Sequence, residues 1–364
     1  MKKMKKALII FVISAVLLAI VILAIYFNPT NSIEEVMAPL QAEEKAGDGG
    51  DSAEENAGDG IDSTEALLLP QLKVDESVSL SVDSDLQIMA DYEGYGILSY
   101  ESYDEDVVTV SDGGMLTGVH PGEADVAVRL DSDGKYRAWS ENVHVTVTAP
   151  DISKTIFLTY DDGPSGNITP QLLDTLKAYD AHATFFIIGT FAESHPEIVK
   201  RAYDEGHTIA IHTYTHDYRK IYASREAYIE DFDKTEALIE EITGQKPRFW
   251  RFPGGSNNGY TNHASQYVIM DELKARGYTP MDWNVSTTDA APDYPSAATM
   301  VEKGSEYIDQ AIASDRVPVV LMHDSEKKVN ACEATKTFIE KYGALGYDFR
   351  GLDDYYGEGI TFLD

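Results

Sequence analysis

The chain has 364 residues and carries 62 acidic against 29 basic side chains, a formal net charge of −33. That balance repels a phosphate backbone and argues against nucleic acid as a partner. Hydrophobic residues make up 43% of the chain, as in ordinary globular material, and the length admits two folded domains plus tails.

Met1-Lys2-Lys3-Met4-Lys5-Lys6 precedes an uninterrupted apolar stretch from Ala7 to Phe27. As a helix that stretch spans roughly 31 Å, about the thickness of a bilayer core. Lysines before it and acids after it make residues 1–6 a cytoplasmic basic tail and 7–27 a single-pass membrane anchor, with the rest of the chain outside. A cleaved signal peptide is the competing reading, but no small-x-small cleavage site follows Tyr26-Phe27-Asn28-Pro29. Residues 28–66 read as an acidic, disordered linker. Between Ser32 and Ala66 eleven acids face one lysine, and AEEKAGDGGDS at 42–52 recurs as AEENAGDGIDS at 53–63. Such composition makes a solvated, self-repelling spacer. Its Asp/Gly pattern lacks the terminal bidentate glutamate of an EF-hand loop. Cys332 is the only cysteine, so no intrachain disulfide can form.

From 67 to 149 the pattern changes to short alternating runs such as Val78 to Val82, Val107 to Val110 and Val143 to Val147, separated by Asp112-Gly113-Gly114 and Pro121-Gly122-Glu123. Regular short strands without helical period predict an all-β sandwich. The stretch from Ser99 to Val128 resembles a bacterial Ig-like domain of the Big type. The match lies in Asp106-Val107-Val108-Thr109-Val110, Gly114-Met115-Leu116-Thr117-Gly118 and Pro121 to Val126. His120 and His144 have no partners in the pattern and read as structural.

From Lys154 strands and helices alternate. Strand-like runs are Thr155 to Tyr160, Ala183 to Ile188, Thr208 to Ile211 and Val317 to Met322. Helix-like runs are Thr169 to Tyr179, Glu197 to Glu205, Ser224 to Thr243, Ala297 to Ala313 and Cys332 to Tyr342. Pro196 and Ser224 suit helix starts, and Gly206 and Gly244 suit helix ends. This alternation predicts parallel strands with crossover helices, an α/β fold, open or closed into a barrel, whose chemistry gathers at the carboxyl ends of strands. Asp161-Asp162, His212 and His323 each follow an apolar strand.

Two carboxylates and two imidazoles at metal-ligand spacing are the minimum kit of a hydrolytic metal site. Asp161-Asp162 precedes Gly163-Pro164, and a strand-end turn there sends the two side chains apart. His212 and His216 lie four apart and can share an ion from a helical turn or a tight loop. Thr213 stands where the zincin motif needs glutamate, so the general base comes from elsewhere and Asp161 is available. The dense run from Arg248 to Gly255, the segment Trp283 to Asp289 and the strand end Leu321-Met322-His323 complete the candidates.

Together these five runs resemble the polysaccharide deacetylase family, carbohydrate esterase family 4, also called the NodB homology domain, over residues 152 to 364. Thr159 to Pro164 matches its T-F-D-D-G-P motif, His212 to His216 matches H-[ST]-x-x-H, Arg251 to Gly254 matches R-x-P-Y except at the last position, and Leu321 to His323 matches L-x-H. The resemblance implies a distorted (β/α) barrel and N-deacetylation of an acetylated amino sugar. It implies that Asp162, His212 and His216 bind one divalent metal ion, commonly zinc, with Asp161 as general base and His323 as general acid. It further implies that Arg251 holds Asp161, that Asp289 holds His323, and that the Gly254 N–H receives the oxyanion. Gly254 replaces the family's aromatic residue, Ala290 its tryptophan and Ser286 its first aspartate in the fourth motif. Tyr214, Tyr260 and Trp283 are candidates for lining the groove.

An anchor, a spacer and an Ig-like module ahead of such an enzyme point to cell-wall peptidoglycan as partner, with acetyl removed from N-acetylglucosamine or, secondarily, N-acetylmuramic acid. A chitooligosaccharide or xylan deacetylase is the alternative within the family. A surface carbohydrate-binding module with a silent barrel is the alternative of another class.

Overall fold

The computed structural model describes residues 71–93, 97–131, 137–260 and 263–363. The expected tail (1–6), anchor (7–27) and linker (28–66) lie outside the described residues. Among the described residues, no helix is long and apolar enough to cross a membrane.

The first part is all strand. It comprises β1 (Gln71–Val74), β2 (Ser77–Ser81), β3 (Asp85–Gln87), β4 (Ala90–Glu93), β5 (Leu98–Ser102), β6 (Val108–Val110), β7 (Met115–Gly118), β8 (Gly122–Leu130) and β9 (Trp139–Thr148). A four-stranded sheet has the order β2-β9-β8-β5, and a three-stranded one the order β3-β7-β6. Alternation sets which face goes inward. Val143, Val145 and Val147 of β9 are buried with Val126 and Val128 of β8, Leu80, Val108 and Leu116, while His144 between them stays exposed. The pairing of β2 with β9 is parallel. His120 and His144, which show no partners in the sequence pattern, find them in the fold: their Nδ1 atoms meet Asp106 O at 2.7 Å and Asp125 Oδ1 at 2.9 Å.

The second part alternates strand and helix. Its strands are β10 (Thr155–Gly163), β11 (Thr184–Ile188), β12 (Thr208–Thr213), β13 (Phe249–Trp250), β14 (Thr279–Pro280), β15 (Val285–Ser286), β16 (Val319–His323) and β17 (Asp348–Phe349). Its helices are α1 (Ile168–Ala178), α2 (Gly189–Ser194), α3 (Pro196–Asp204), α4 (Tyr218–Ile221), α5 (Arg225–Thr243), α6 (His263–Ala275), α7 (Ala297–Ala313) and α8 (Ala331–Gly343). The sheet runs β14-β13-β12-β11-β10-β16-β15, with β17 beside the start of β10. Each of these pairings is parallel.

The sheet is a half-barrel of parallel strands, consistent with the expected distorted (β/α) barrel: among the described residues its end strands β14 and β15 do not pair with each other. Both are two residues long, and Pro280 in β14 has no N–H to extend a ladder. The Asn284 side chain takes over part of that work. It donates to Val317 O and accepts from Val319 N, each at 2.8 Å.

Strands covered on both faces are apolar nearly throughout, as parallel sheets require. Ile156, Leu158 and Tyr160 of β10 pack in the core that holds Leu172, Leu173 and Leu176 of α1 and Phe338 of α8. Phe157 belongs to the opposite layer, with Phe186, Ala210, Phe249 and Val319. The period of two therefore puts Phe157, Thr159 and Asp161 on the inner face. The fold aims Asp161 into the sheet's concavity before any specific contact is made.

Candidate active site

Parallel register gathers the carboxyl ends of five strands. Asp161 pairs with His323 across β10 and β16, and with Phe186 across β10 and β11; Ile211 pairs with Trp250 across β12 and β13. On the β11 side the register shifts between Asp161 and Gly163. Asp162 absorbs the shift with a left-handed backbone at φ +73°. That bulge turns Asp162 away from its neighbour, so the adjacent carboxylates meet different partners.

Asp162 Oδ1 lies 3.6 Å from His212 Nε2 and 3.2 Å from His216 Nε2. One donor atom from each of the three side chains falls within 4.8 Å of the others. His212 is the penultimate residue of β12, and His216 sits in the following loop at φ +52°, so a loop rather than a helical turn makes the pair. Asp162 Oδ1 is buried and has no hydrogen-bond partner among the described residues. An orphaned carboxylate oxygen between two imidazoles is a donor set suited to a divalent cation. His212 Nδ1 faces Arg251 O at 3.0 Å, which leaves Nε2 for an ion. Burial pushes the His212 imidazole below its ordinary range against the pull of Asp161 and Asp162, which favours the neutral, ligating form.

Asp161 turns to Arg251. Nη1 of the guanidinium donates to Asp161 Oδ1 at 2.7 Å and to Thr159 Oγ1 at 2.8 Å; Nε donates to Met281 O at 2.6 Å and Nη2 to Asp282 O at 3.0 Å. The guanidinium also lies 4.0 Å from the centre of the Phe186 ring. Burial by itself would raise the Asp161 carboxyl, yet Arg251, followed by His212 and His323, holds it below the usual carboxylate range. Its second oxygen, Oδ2, faces His212 Nε2 at 4.0 Å.

His323 is fixed twice by one carboxylate. Its Nδ1 lies 3.0 Å from Asp289 Oδ1, and its backbone N–H donates to Asp289 Oδ2 at 2.7 Å. Burial works to lower the imidazole, but the Asp289 hydrogen bond and charge win, and it is pushed up to about 9. The pairing with Asp289 thus favours the protonated ring and leaves Nε2 to donate. Lys328 donates to Asp289 O and so ties the loop of Asp289 to the segment after β16.

Three carboxylates with supporting roles carried no signal in the sequence. Asp231 of α5 accepts from Thr213 Oγ1, from Tyr214 N, from Thr215 N at 3.1 Å and from Thr215 Oγ1 at 2.8 Å, and so splints the loop between the two histidines. Asp282 accepts from Ser256 N at 3.0 Å, from Ser256 Oγ and from Phe362 N at 2.9 Å, tying the Gly254 loop to the segment around Phe362. Asp324 is buried against Gly163, accepts from Thr169 Oγ1 at 2.6 Å, and is raised to about 7, chiefly by burial. Helical periodicity and strand alternation say nothing of such long-range bonds.

Gly254 lies in an exposed turn at φ +80°, and its N–H has no partner among the described residues. Ser286, in β15, accepts from Thr288 N at 3.2 Å, a turn contact with no link to His323. Of the aromatic candidates, Tyr260 is 66% exposed beside the histidine loop. Tyr214 packs on Gly189, and Trp283 meets Phe362 edge-on at 5.0 Å. On the other side of Asp162 opens a cavity of about 450 Å³, edged by Ser165, Phe191, His195 and Lys327. Cys332 packs against the core from α8, with its thiol pushed up to about 11 by burial, the state of an inert structural cysteine.

The polysaccharide deacetylase family model matches residues 148–271, which hold the first three runs and stop short of Asp289 and His323. YheN of Bacillus subtilis strain 168, which carries the same family's name, is 31% identical over 239 residues, 62% of this chain and 81% of that protein. A peptidoglycan-N-acetylglucosamine deacetylase of Bacillus cereus is 32% identical over 204 residues, 55% of this chain and 70% of its own. Among solved structures, the catalytic domain of peptidoglycan N-acetylglucosamine deacetylase from Eubacterium rectale ATCC 33656 superposes with a TM-score of 0.50 at 33% identity. That likeness covers 58% of this chain and 90% of that one.

Proposed function

The chain belongs to the polysaccharide deacetylase family and is a hydrolase of carbon–nitrogen bonds, and from that premise we propose that it removes acetyl groups from the N-acetylglucosamine of cell-wall peptidoglycan. The observation that carries the reading is one strand-end cluster holding a cation-ready trio, a carboxylate paired with a buried guanidinium and a buried imidazole paired with a second carboxylate. Relatives named for peptidoglycan N-acetylglucosamine, at about a third identity, support the choice of glycan.

In this proposal Asp162, His212 and His216 hold one divalent ion, zinc by family resemblance. Such an ion acidifies water and polarises an acetamide carbonyl when bound. The chain's own groups supply the rest. Asp161, ionised beside Arg251, accepts the proton of the attacking water on Oδ2. The Gly254 N–H donates to the oxyanion as the carbonyl becomes tetrahedral. His323, charged against Asp289, gives the Nε2 proton to the nitrogen as the C–N bond breaks. The products are acetate and a free amine. Residues 7–27 as an anchor, 28–66 as a spacer and an Ig-like module over 67–149 would hold this site on the cell-wall side of the membrane.

The experiment is acetate release from purified peptidoglycan, with Asp161→Asn and His212→Ala as variants and mass spectrometry of muramidase fragments to locate the new amine. Loss in both variants with amines on glucosamine supports the reading. Unchanged rates in the variants sink it. Amines on muramic acid, or faster release from chitooligosaccharide or xylan, would replace the substrate and keep the chemistry.

A further inference from the structure

Family resemblance expects an aromatic side chain at the position of Gly254, and the structure shows what occupies that space instead. A Cβ placed on Gly254 would lie 3.4 Å from Tyr218 Oη and 3.2 Å from Asn258 Cβ. The backbone there is left-handed, which strains an L side chain in any case. Tyr218 opens α4, directly after the metal-ligand loop, and its ring meets the His216 ring edge-on at 5.2 Å. It also lies 4.2 Å from the Tyr260 ring.

The neighbouring hydroxyls divide into used and unused. Tyr222 donates to Pro253 O at 2.8 Å and accepts from Asn258 Nδ2 at 2.9 Å, so it builds the loop. The Tyr218 side chain is half-buried, and its hydroxyl, still open to solvent, has no hydrogen-bond partner among the described residues. Tyr260 serves the loop only through its backbone N–H, bonded to Asn258 Oδ1 at 3.1 Å. Its ring is 66% exposed. An exposed ring packed at a tilt on a half-buried one, with an unpaired hydroxyl open to solvent beside it, makes an aromatic surface that a ligand can reach.

We propose that Tyr218 and Tyr260 form the aromatic wall of the glycan groove beside Asp162, His212 and His216, Tyr218 bonding a sugar oxygen through its hydroxyl and Tyr260 stacking on the adjoining sugar ring. The inference rests on the deacetylase reading for its ligand, a β-linked N-acetylated glycan. Sugar rings present axial C–H groups that an aromatic face accepts. A hydroxyl placed for one sugar oxygen adds a directional contact to the stacking one.

The test is calorimetric binding of muramidase-solubilised peptidoglycan strands to the zinc-loaded full chain, with acetate release followed in parallel. Tyr260→Ala and Tyr218→Phe are each expected to weaken binding about tenfold, the order that one lost substrate contact commands. Tyr260→Phe, which keeps the ring, should bind within about twofold and guards against a folding artefact. Variants that bind as tightly as the wild type, or a wild type that does not bind, would overturn the wall. If the wild type binds with this dependence on Tyr260 yet releases no acetate, the deacetylase reading fails and the wall stands.

Discussion

Arg251 Nη1 lies 2.7 Å from Asp161 Oδ1, and both side chains are almost wholly withdrawn from solvent. A buried carboxylate robbed of its cation takes up a proton. Arg251→Gln should therefore raise the Asp161 carboxyl and move the acid limb of kcat/KM to higher pH. Breaking such a buried pair costs on the order of 3–5 kcal/mol in stability. The pH–rate profile, read beside a urea melt, separates the two effects.

In the proposed mechanism His323 must carry its proton, and the Asp289 hydrogen bond and charge push its imidazole up to about 9. Activity should fall as pH rises through the imidazole's own value. Asp289→Asn removes the charge, lowers that value and shifts the alkaline limb downward. A cation in the neighbouring trio would depress both limbs, so wild type and variant are compared under the same metal. An alkaline limb that stays put in Asp289→Asn would assign the limb to another group.

Chelation should abolish acetate release, and a divalent ion should restore it. A second readout needs no substrate. A ligand at one hundred times its Kd stabilises the native state by about 2.7 kcal/mol, so zinc should raise the melting temperature of the chelated chain. His216→Ala should erase that rise.

Asp231 splints the loop between His212 and His216 through four bonds. Groups that orient ligands typically account for about 10–100-fold in metal affinity. Asp231→Ala should weaken zinc binding by that order in competition with a chromophoric chelator, while the secondary structure seen by circular dichroism persists.

Gly163 has no room for a methyl group. A Cβ there would fall within van der Waals distance of the Asp324 carboxyl. Gly163→Ala should cost about 1–3 kcal/mol, the usual toll of overpacking, as a lowered urea midpoint. Asp324→Ala in the same chain should recover part of it.

How far the sequence spoke depends on the range of each interaction. Strand-end placement and the spacing of Asp161-Asp162, His212, His216 and His323 are local patterns, and the structure gathers these residues with Arg251 and Asp289. α5 begins after Ser224, whose hydroxyl accepts from Ala227 N, and ends at left-handed Gly244, both readable as punctuation. The short strands β13, β14 and β15 were not legible: two residues show no alternation, and their pairing is a tertiary matter. The same holds for α2 and α6, and for Asp231, Asp282 and Asp324, whose partners lie far off in sequence. Tyr218 was missed for another reason. Its meaning depends on an absent side chain at Gly254, and absence shows only in three dimensions.

Asp162 at φ +73° and His216 at φ +52° both occupy left-handed backbone, whereas His212 sits on a regular strand. Asp, Asn and His enter that region far more readily than β-branched residues do. Protein engineers who wish to retune the site for a different ion thus have unequal freedom at its three corners. Position 212 can host a changed ligand on ordinary extended geometry, while exchanges at 162 and 216 must satisfy coordination and torsion at once.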